Sequence, residues 1–338
     1  MRAVRFHQHG GPEVLRYEEV PDPEPRADEV VVRVRACALN HLDIWNRRGV
    51  VRLPLPHILG ADVAGEIAVS TDKDLTAGRR VLLQPGLSCG RCEACLGSRD
   101  NHCAHYDVLG SQSDGGYAEL VRVPVQNIVP LPDAIGFVEA AAFPLTFLTA
   151  WHMLVTLAKV RPGEDVLVLG AGSGVGQAAI QIAWLHGARV FATAGTDEKL
   201  ARAREIGAYE VVNHHTQDFP AEIRRLTGNR GVDVVIEHVG EATWERSLKC
   251  MARGARLVTC GATTGYKAQI DLRFLFSRQY AVMGSYMGTK AELLRAAQFF
   301  FAGQLRPVVD RTFPLAEAPA AQAHLERGEQ FGKVVLEV

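Results

Sequence analysis

The sequence predicts an α/β protein of two domains, an irregular β domain and a doubly wound parallel sheet, and three observations carry that expectation. From about residue 147 onward, short apolar runs alternate with helically spaced ones. A glycine-rich turn follows the first of those runs. The first third instead reads as β-branched strands separated by Pro and Gly turns, with a lobe of closely spaced cysteines set into it. A chain of 338 residues is long enough for two cores.

In order along the chain, Pro21-Asp22-Pro23-Glu24-Pro25 is a loop that cannot join a sheet interior, and Val30–Arg35 is a strand with arginines alternating near its end. Asp62–Val69, Arg80–Leu83 and Tyr117–Val123 are further strands, the last entered through Asp114-Gly115-Gly116. Asp165–Leu169 is too short for a helix, whereas Val175–His186 and Glu198–Ile206 have helical spacing. Arg189–Thr193, Glu210–Asn213, Val232–Ile236 and Ala255–Cys260 complete a series of βαβ units. An alanine-rich helix after Phe313-Pro314-Leu315 and a strand at Gly332–Leu336 close the chain.

Composition narrows the function classes. Hydrophobic content of 47%, charged content of 22% and a net charge of −1 describe a globular protein without the basic excess expected of a nucleic-acid binder or an anionic-membrane binder. The most membrane-like stretch, residues 140–158, contains Pro144 and His152 between Glu139 and Lys159. It reads as a buried pair of helices at a domain junction rather than a span. Met1-Arg2-Ala3-Val4-Arg5-Phe6 runs straight into a strand, so the expectation is a cytoplasmic protein in a reducing compartment.

Val166–Leu169 leads into Gly170-Ala171-Gly172-Ser173-Gly174-Val175-Gly176 and then a helix. In that context Gly170, Gly172, Gly174, Val175 and Gly176 form a dinucleotide turn, where backbone amides at a helix N-terminus face a pyrophosphate. The end of the second strand selects the cofactor. It reads Thr193-Ala194-Gly195-Thr196, with no carboxylate for ribose hydroxyls, while Lys199 and Arg202 follow on the next helix. Gly195, Thr196 and Lys199 therefore point to NADP(H), with NAD(H) as the alternative and Asp197 and Glu198 as helix N-terminal residues.

Cys89, Cys92, Cys95 and Cys103 crowd into fifteen positions. Four thiolates satisfy a tetrahedral Zn²⁺. A ferredoxin-like cluster would continue with a cysteine after three residues and then proline, whereas here the fourth cysteine comes after seven residues and Ala104 follows it. One structural zinc per chain is expected, closed to substrate, with His102 and His105 in the surrounding loop. Cys37, Cys250 and Cys260 fall in apolar segments and read as buried thiols.

Taken together, Gly60-Ala61-Asp62-Val63-Ala64-Gly65, Asp114-Gly115-Gly116-Tyr117-Ala118-Glu119, the glycine turn, Val232–Glu237 and Gly332-Lys333-Val334-Val335 resemble the medium-chain dehydrogenase/reductase superfamily over essentially the whole chain. The resemblance implies a GroES-like β domain, residues 1–146 and 285–338 with the zinc lobe at about 86–106, and a Rossmann domain, residues 147–284. The cysteine spacing is that of the structural zinc in zinc-type alcohol dehydrogenases, whereas the run from Ala171 to Ala183 resembles the quinone oxidoreductase branch, which favours NADPH.

The resemblance also marks a departure. The three ligand positions of a catalytic zinc fall on Asn40, Ala61 and Leu145, none of them Cys or His, and Leu42 replaces the hydroxyl of the proton relay. The resemblance thus implies hydride chemistry without catalytic zinc, on a quinone, an enone or a related carbonyl, in the cleft between the domains. Asn40 is an oxyanion donor, with Asp43 and Asp62 as catalytic or orienting carboxylates. Thr149 is placed at the nicotinamide, as is the backbone at His238-Val239-Gly240. One alternative is a zinc-dependent alcohol dehydrogenase with a site rebuilt from His41, His57, Asp62 and His152. Another is an NADPH-binding structural or regulatory protein with little turnover. Tyr280–Ser285 resembles the outer strand through which family members form homodimers or homotetramers.

Overall fold

The computed structural model describes all residues 1–338. The chain divides into two compact units, Met1–Leu145 with Thr289–Val338, and Thr146–Gly288. The sequence places these boundaries after residues 146 and 284. The return comes later in the structure because Ser285 N still donates to Thr259 O at 2.7 Å, keeping the segment on the sheet it leaves.

In chain order, the first unit contributes β1 (Glu29–Ala38), α1 (His41–Arg48), β2 (Asp62–Ser70), β3 (Arg80–Leu83), β4 (Leu120–Pro124) and β5 (Ile128–Pro130). Helix α2 (Pro144–Trp151) carries the chain across the boundary. The second unit contains β6 (Asp165–Val168), α3 (Gly174–Leu185), β7 (Arg189–Ala194), α4 (Asp197–Glu205) and β8 (Glu210–Asn213). It continues with α5 (Phe219–Leu226), β9 (Val232–Glu237), α6 (Trp244–Cys250), β10 (Met251–Thr259) and β11 (Ala281–Gly284). The chain then returns through α7 (Lys290–Phe301), β12 (Val309–Pro314), α8 (Ala318–Glu326) and β13 (Lys333–Glu337).

The first unit is built on a seven-stranded sheet in the order β5-β3-β2-β1-β13-β12, with β4 also on β1. Strand β1 is its spine. Glu29–Arg33 pair with β4, Ala36–Ala38 pair with β13, and β2 runs antiparallel along the other side. Val30, Val32 and Val34 lie in the core while Arg33 and Arg35 alternate outward, which is the two-residue period of a sheet with one wet face. The strand expected from Tyr117 begins at Leu120. Tyr117 N and O bond instead to Leu59 O and Val4 N, which ties this segment to a small sheet of Arg2–Phe6, Arg16–Glu19 and His57–Ile58.

The second unit is a six-stranded parallel sheet in the order β8-β7-β6-β9-β10-β11. Strand order therefore reverses between β6 and β9, the point outside whose carboxyl ends doubly wound sheets bind nucleotides. Strand β6 is buried throughout, as a central strand covered on both faces must be. Strand β10 starts at Met251, before the expected Ala255, with Gly254 at φ +76° absorbing an irregularity in register. The apolar stretch at 140–158 begins in the end of a short helix, Phe137–Ala141, and continues through α2 into a π-helical segment, His152–Leu157, so two successive helices occupy it, as expected. No helix is long and apolar enough to cross a membrane.

The amino ends of β6, β7 and β9 are joined by charge. The Asp165 carboxylate, nearly fully buried, accepts two hydrogen bonds from Arg189, at 2.6 and 2.8 Å, and one from Arg230 at 2.7 Å. Arg230 also grips Asp233, whose Oδ2 accepts from Asp165 N at 2.8 Å. Asp165→Asn leaves two guanidinium groups without their shared anion and is expected to cost about 2–3 kcal/mol, read as a lower urea midpoint at pH 7 with an unchanged m-value.

Candidate active site and cofactor turn

Helix α1 starts at Asn40, whose extended backbone (φ −131°, ψ 157°) suits a helix N-cap. Its N–H donates to Asp43 Oδ2 at 2.7 Å, and Asp43 Oδ1 accepts from Gly60 N at 3.1 Å. Asp43 thus fastens the first turn of α1 to the Gly60-Ala61 loop. Asp62 opens β2 and is fully buried. Its Oδ1 accepts from Leu145 N at 2.7 Å, and its Oδ2 accepts from Asn40 Nδ2 at 2.9 Å and from Lys333 Nζ at 2.9 Å.

Lys333, the first residue of β13, completes the group. Only 2% exposed, it donates to Leu39 O at 2.7 Å, Asn40 Oδ1 at 2.6 Å and Asp62. All three ammonium protons are therefore used. Because Lys333 only donates and an ionised Asp62 only accepts, the Asn40 amide is held in one orientation, with one of its two N–H bonds on Asp62. The three carboxamide and carboxylate residues singled out in the sequence, Asn40, Asp43 and Asp62, thus share one network. Lys333 was missed as a site residue. The sequence shows only a lone cation at the head of an apolar run, a pattern equally common for a solvated lysine at a strand end.

Burial raises the Asp43 carboxyl to about 6, with the Asn40 amide and the Lys333 charge pulling the other way. Burial and the nearby Asp43 and Asp62 push the Cys37 thiol well above its ordinary range, so it stays protonated and is no nucleophile.

His57 Nε2 bonds Gly110 O at 3.1 Å, with Asp114 near its other nitrogen, and His41 packs against the Trp45 ring. The Lys333 ammonium lies directly against both Asn40 Oδ1 and Asp62 Oδ2.

The group with metal-binding geometry is the cysteine set. Cys89, Cys92, Cys95 and Cys103 bring all four sulfurs within 4.8 Å of one another. The Cys92–Cys95 and Cys89–Cys103 separations are 3.5 Å, and Cys89–Cys95 is 3.9 Å. A zinc tetrathiolate with bonds of about 2.3 Å has edges of about 3.8 Å, so the residues fit that ion. Backbone amides of Arg91 and Cys92 aim at the Cys89 sulfur and bring its thiol down to about 6, favouring the ligating thiolate. The lobe is held to the first unit by Asp100, whose carboxylate accepts from Lys290 N, at the start of α7, at 3.2 and 3.1 Å.

In the second unit the glycine turn has the expected form. Gly170 lies at φ +61°, and a Cβ on Gly176 would fall 2.2 Å from Gly170 O, so the turn and helix α3 approach too closely for any side chain there. Ser173 caps α3 by accepting from Gly176 N at 2.8 Å. Gly172 lies within the turn, and Gly174 and Val175 open the helix, so the amino end of α3 is available to a pyrophosphate. His238 braces the turn from β9: its Nε2 lies 2.8 Å from Leu169 O and 3.3 Å from Ser173 Oγ. Gly195 follows β7, and Thr196 caps α4 by accepting from Lys199 N at 3.3 Å. Thr149 is buried in α2.

A doubly wound sheet with a dinucleotide turn, joined to a β unit that holds a buried amide–carboxylate–ammonium network and a tetrathiol lobe, defines a nucleotide-dependent oxidoreductase. Residues 26–133 match the model for the alcohol dehydrogenase GroES-like domain, and residues 174–302 match that for the zinc-binding dehydrogenase domain. The chain is 30% identical to quinone oxidoreductase of Homo sapiens, covering 99% of this chain and 97% of the relative. It is 32% identical to quinone oxidoreductase of Pseudomonas aeruginosa, covering 99% of each. A solved structure described as an NAD-dependent alcohol dehydrogenase is 49% identical, with a TM-score of 0.97 and all of both chains covered. This chain belongs to the medium-chain dehydrogenase/reductase superfamily, and it is an oxidoreductase.

Two outcomes follow from the network. A buried carboxyl raised to about 6 binds its proton more tightly in the folded state. The stability it confers is full below the unfolded-state value and is lost as pH rises through 6. Asp43→Asn is expected to flatten the urea-stability profile between pH 4 and pH 7 by roughly 2–3 kcal/mol relative to the parent. Lys333→Met leaves Asp62 buried without its cation and is expected to lose about 3–5 kcal/mol, while Lys333→Met with Asp62→Asn recovers a large part of that in the same denaturation assay.

Proposed function

We propose that this oxidoreductase reduces quinones, conjugated enones or related carbonyls with NADP(H), and that it carries one structural zinc and no catalytic zinc. The observation that carries the reading is the Lys333 ammonium bonded to Asn40 and Asp62. A zinc ion acts on a carbonyl as a Lewis acid, and with an ammonium in that place the acceptor must delocalise its own negative charge. Quinones and enones do so; a simple alkoxide does not. The donor left to meet a developing oxyanion is the second N–H of Asn40 Nδ2, held in place by Asp62 and Lys333. Asp43 and Asp62 act as positioning residues: one sets the start of α1, the other orients Asn40.

The bound cofactor supplies the hydride. The chain supplies the amides of the turn at Gly170–Gly176 and the end of β7, where no carboxylate stands to accept from ribose hydroxyls. The nearest acidic side chain, Asp197, accepts from Asn213 Nδ2 at 2.8 Å. Thr149 is assigned to the nicotinamide by its place in the family pattern. The tetrathiol lobe suits a reducing compartment such as the cytoplasm. A homo-oligomer is proposed through the edge strand β11, in a stretch of chain where Leu272, Phe276 and Tyr286 are also exposed.

A second reading, alcohol oxidation with NAD, draws support from the 49% identity to the NAD-dependent alcohol dehydrogenase structure. One set of measurements separates the two. On the proposed reading, purified protein contains about one zinc per chain, turns over quinones or enones with NADPH, and keeps that activity after brief chelation that leaves the tetrathiolate zinc in place. About two zinc ions per chain, with alcohol oxidation that stops on chelation and returns with zinc, establishes the other reading.

A further inference from the structure

The carboxyl ends of β6, β7 and β8 lie side by side, and the glycine turn leaves the first of them. Just past β8 stand two adjacent histidines, His214 and His215, with ring centroids 4.7 Å apart and planes at 85°. They cover Gly195. A Cβ at that position would lie 2.6 Å from His215 Cε1, 2.9 Å from His215 Nδ1 and 3.3 Å from His214 Nε2. The space into which a strand-end carboxylate would project is therefore filled by two imidazoles. Their backbone is fixed: His214 N donates to Ala194 O at 3.1 Å, and His215 N to Asn213 Oδ1 at 3.1 Å. His214 is half-buried and His215 is exposed, so the pair opens to solvent.

We propose that His214 and His215 are the specificity-determining residues of the cofactor site, recognising a phosphate on the 2′ position of the adenosine ribose where NAD enzymes place an acidic side chain. The proposal rests on the NADP(H) reading above and names its recognition element. A 2′-phosphate carries about −1.5 to −2 charge at neutral pH and has strong acceptor oxygens. Imidazoles that take up a proton supply both charge and N–H donors, whereas a ribose diol gains little from them.

The surrounding charges favour this use. Burial first, and then the charges of His215, of Arg246 from α6 and of Lys199 from α4, lower the proton affinity of His214 in the free protein. The nearby carboxylates are engaged: Asp197 by Asn213, and Asp218 by Arg246 at 3.3 Å. His214 thus gives up its proton more readily in the empty site, and a dianion arriving beside it favours taking one up.

Isothermal titration of the whole protein at pH 7.5, in buffers of different ionisation enthalpy, tests this directly. The expected result is uptake of about 0.2–0.6 proton per NADPH bound and none with NADH, since the phosphate itself is almost fully ionised there. His214→Gln with His215→Gln is expected to abolish that uptake and weaken NADPH about tenfold while leaving the NADH dissociation constant unchanged. That constant also reports that the variant is folded. Tighter binding of NADPH than NADH with no proton uptake, and an unaltered ratio in the variant, overturns the histidine assignment and leaves the cofactor reading standing. NADH binding as tightly as NADPH to the wild-type protein overturns the reading and the assignment together.

Discussion

The buried ion pair between Lys333 and Asp62 is the interaction on which the rest of the first unit turns. An ammonium and a carboxylate, both removed from water, are tolerable only when every remaining proton and lone pair is matched. That demand is met by Asn40, Leu39 O and Leu145 N, so five residues from four separate segments of the chain are fixed by one charge pair. The start of α1, the start of β2, the start of β13 and the entrance to α2 converge there.

The second unit solves a different problem with backbone rather than charge. Its nucleotide turn depends on the absence of a side chain at Gly176 and on the left-handed conformation at Gly170. His238 and Ser173 then hold the turn against β9 and α3. Glu237, fully buried, accepts from the amides of His238 and Val239 at 3.0 and 2.9 Å, so the chain segment that carries His238 is itself tied down. A cofactor arriving at this turn meets donors already in position, which lowers the ordering cost of binding.

Features written locally in the chain were legible without coordinates. The glycine turn is seven residues long and flanked by its own strand and helix, and the cysteines carry their ligand spacing within fifteen positions. The alternation of short apolar runs gave the parallel sheet because its central strands are buried on both faces. Lys333 was illegible for the opposite reason. Its partners lie 294, 293 and 271 residues away, and nothing in Gly332-Lys333-Val334-Val335 distinguishes a buried ammonium from a solvated one at a strand end. The same holds for His214 and His215, whose packing over Gly195, just past the end of the neighbouring strand, is not written in their local sequence. The start of β4 was misjudged because Tyr117 is apolar enough to extend the run, while its backbone is committed to the small sheet.

Asp100 lies three positions before Cys103 and tethers the cysteine lobe to the amino end of α7, directly after the chain has come back from the nucleotide-binding unit. The helix begins with its own capping pair, Thr289 and Glu292, so the outside carboxylate is an added anchor rather than a replacement for a missing one. Loosening the thiol lobe would therefore also free the first turn of α7 from its outside carboxylate, a disturbance felt at a helix that stands 190 residues further along the chain.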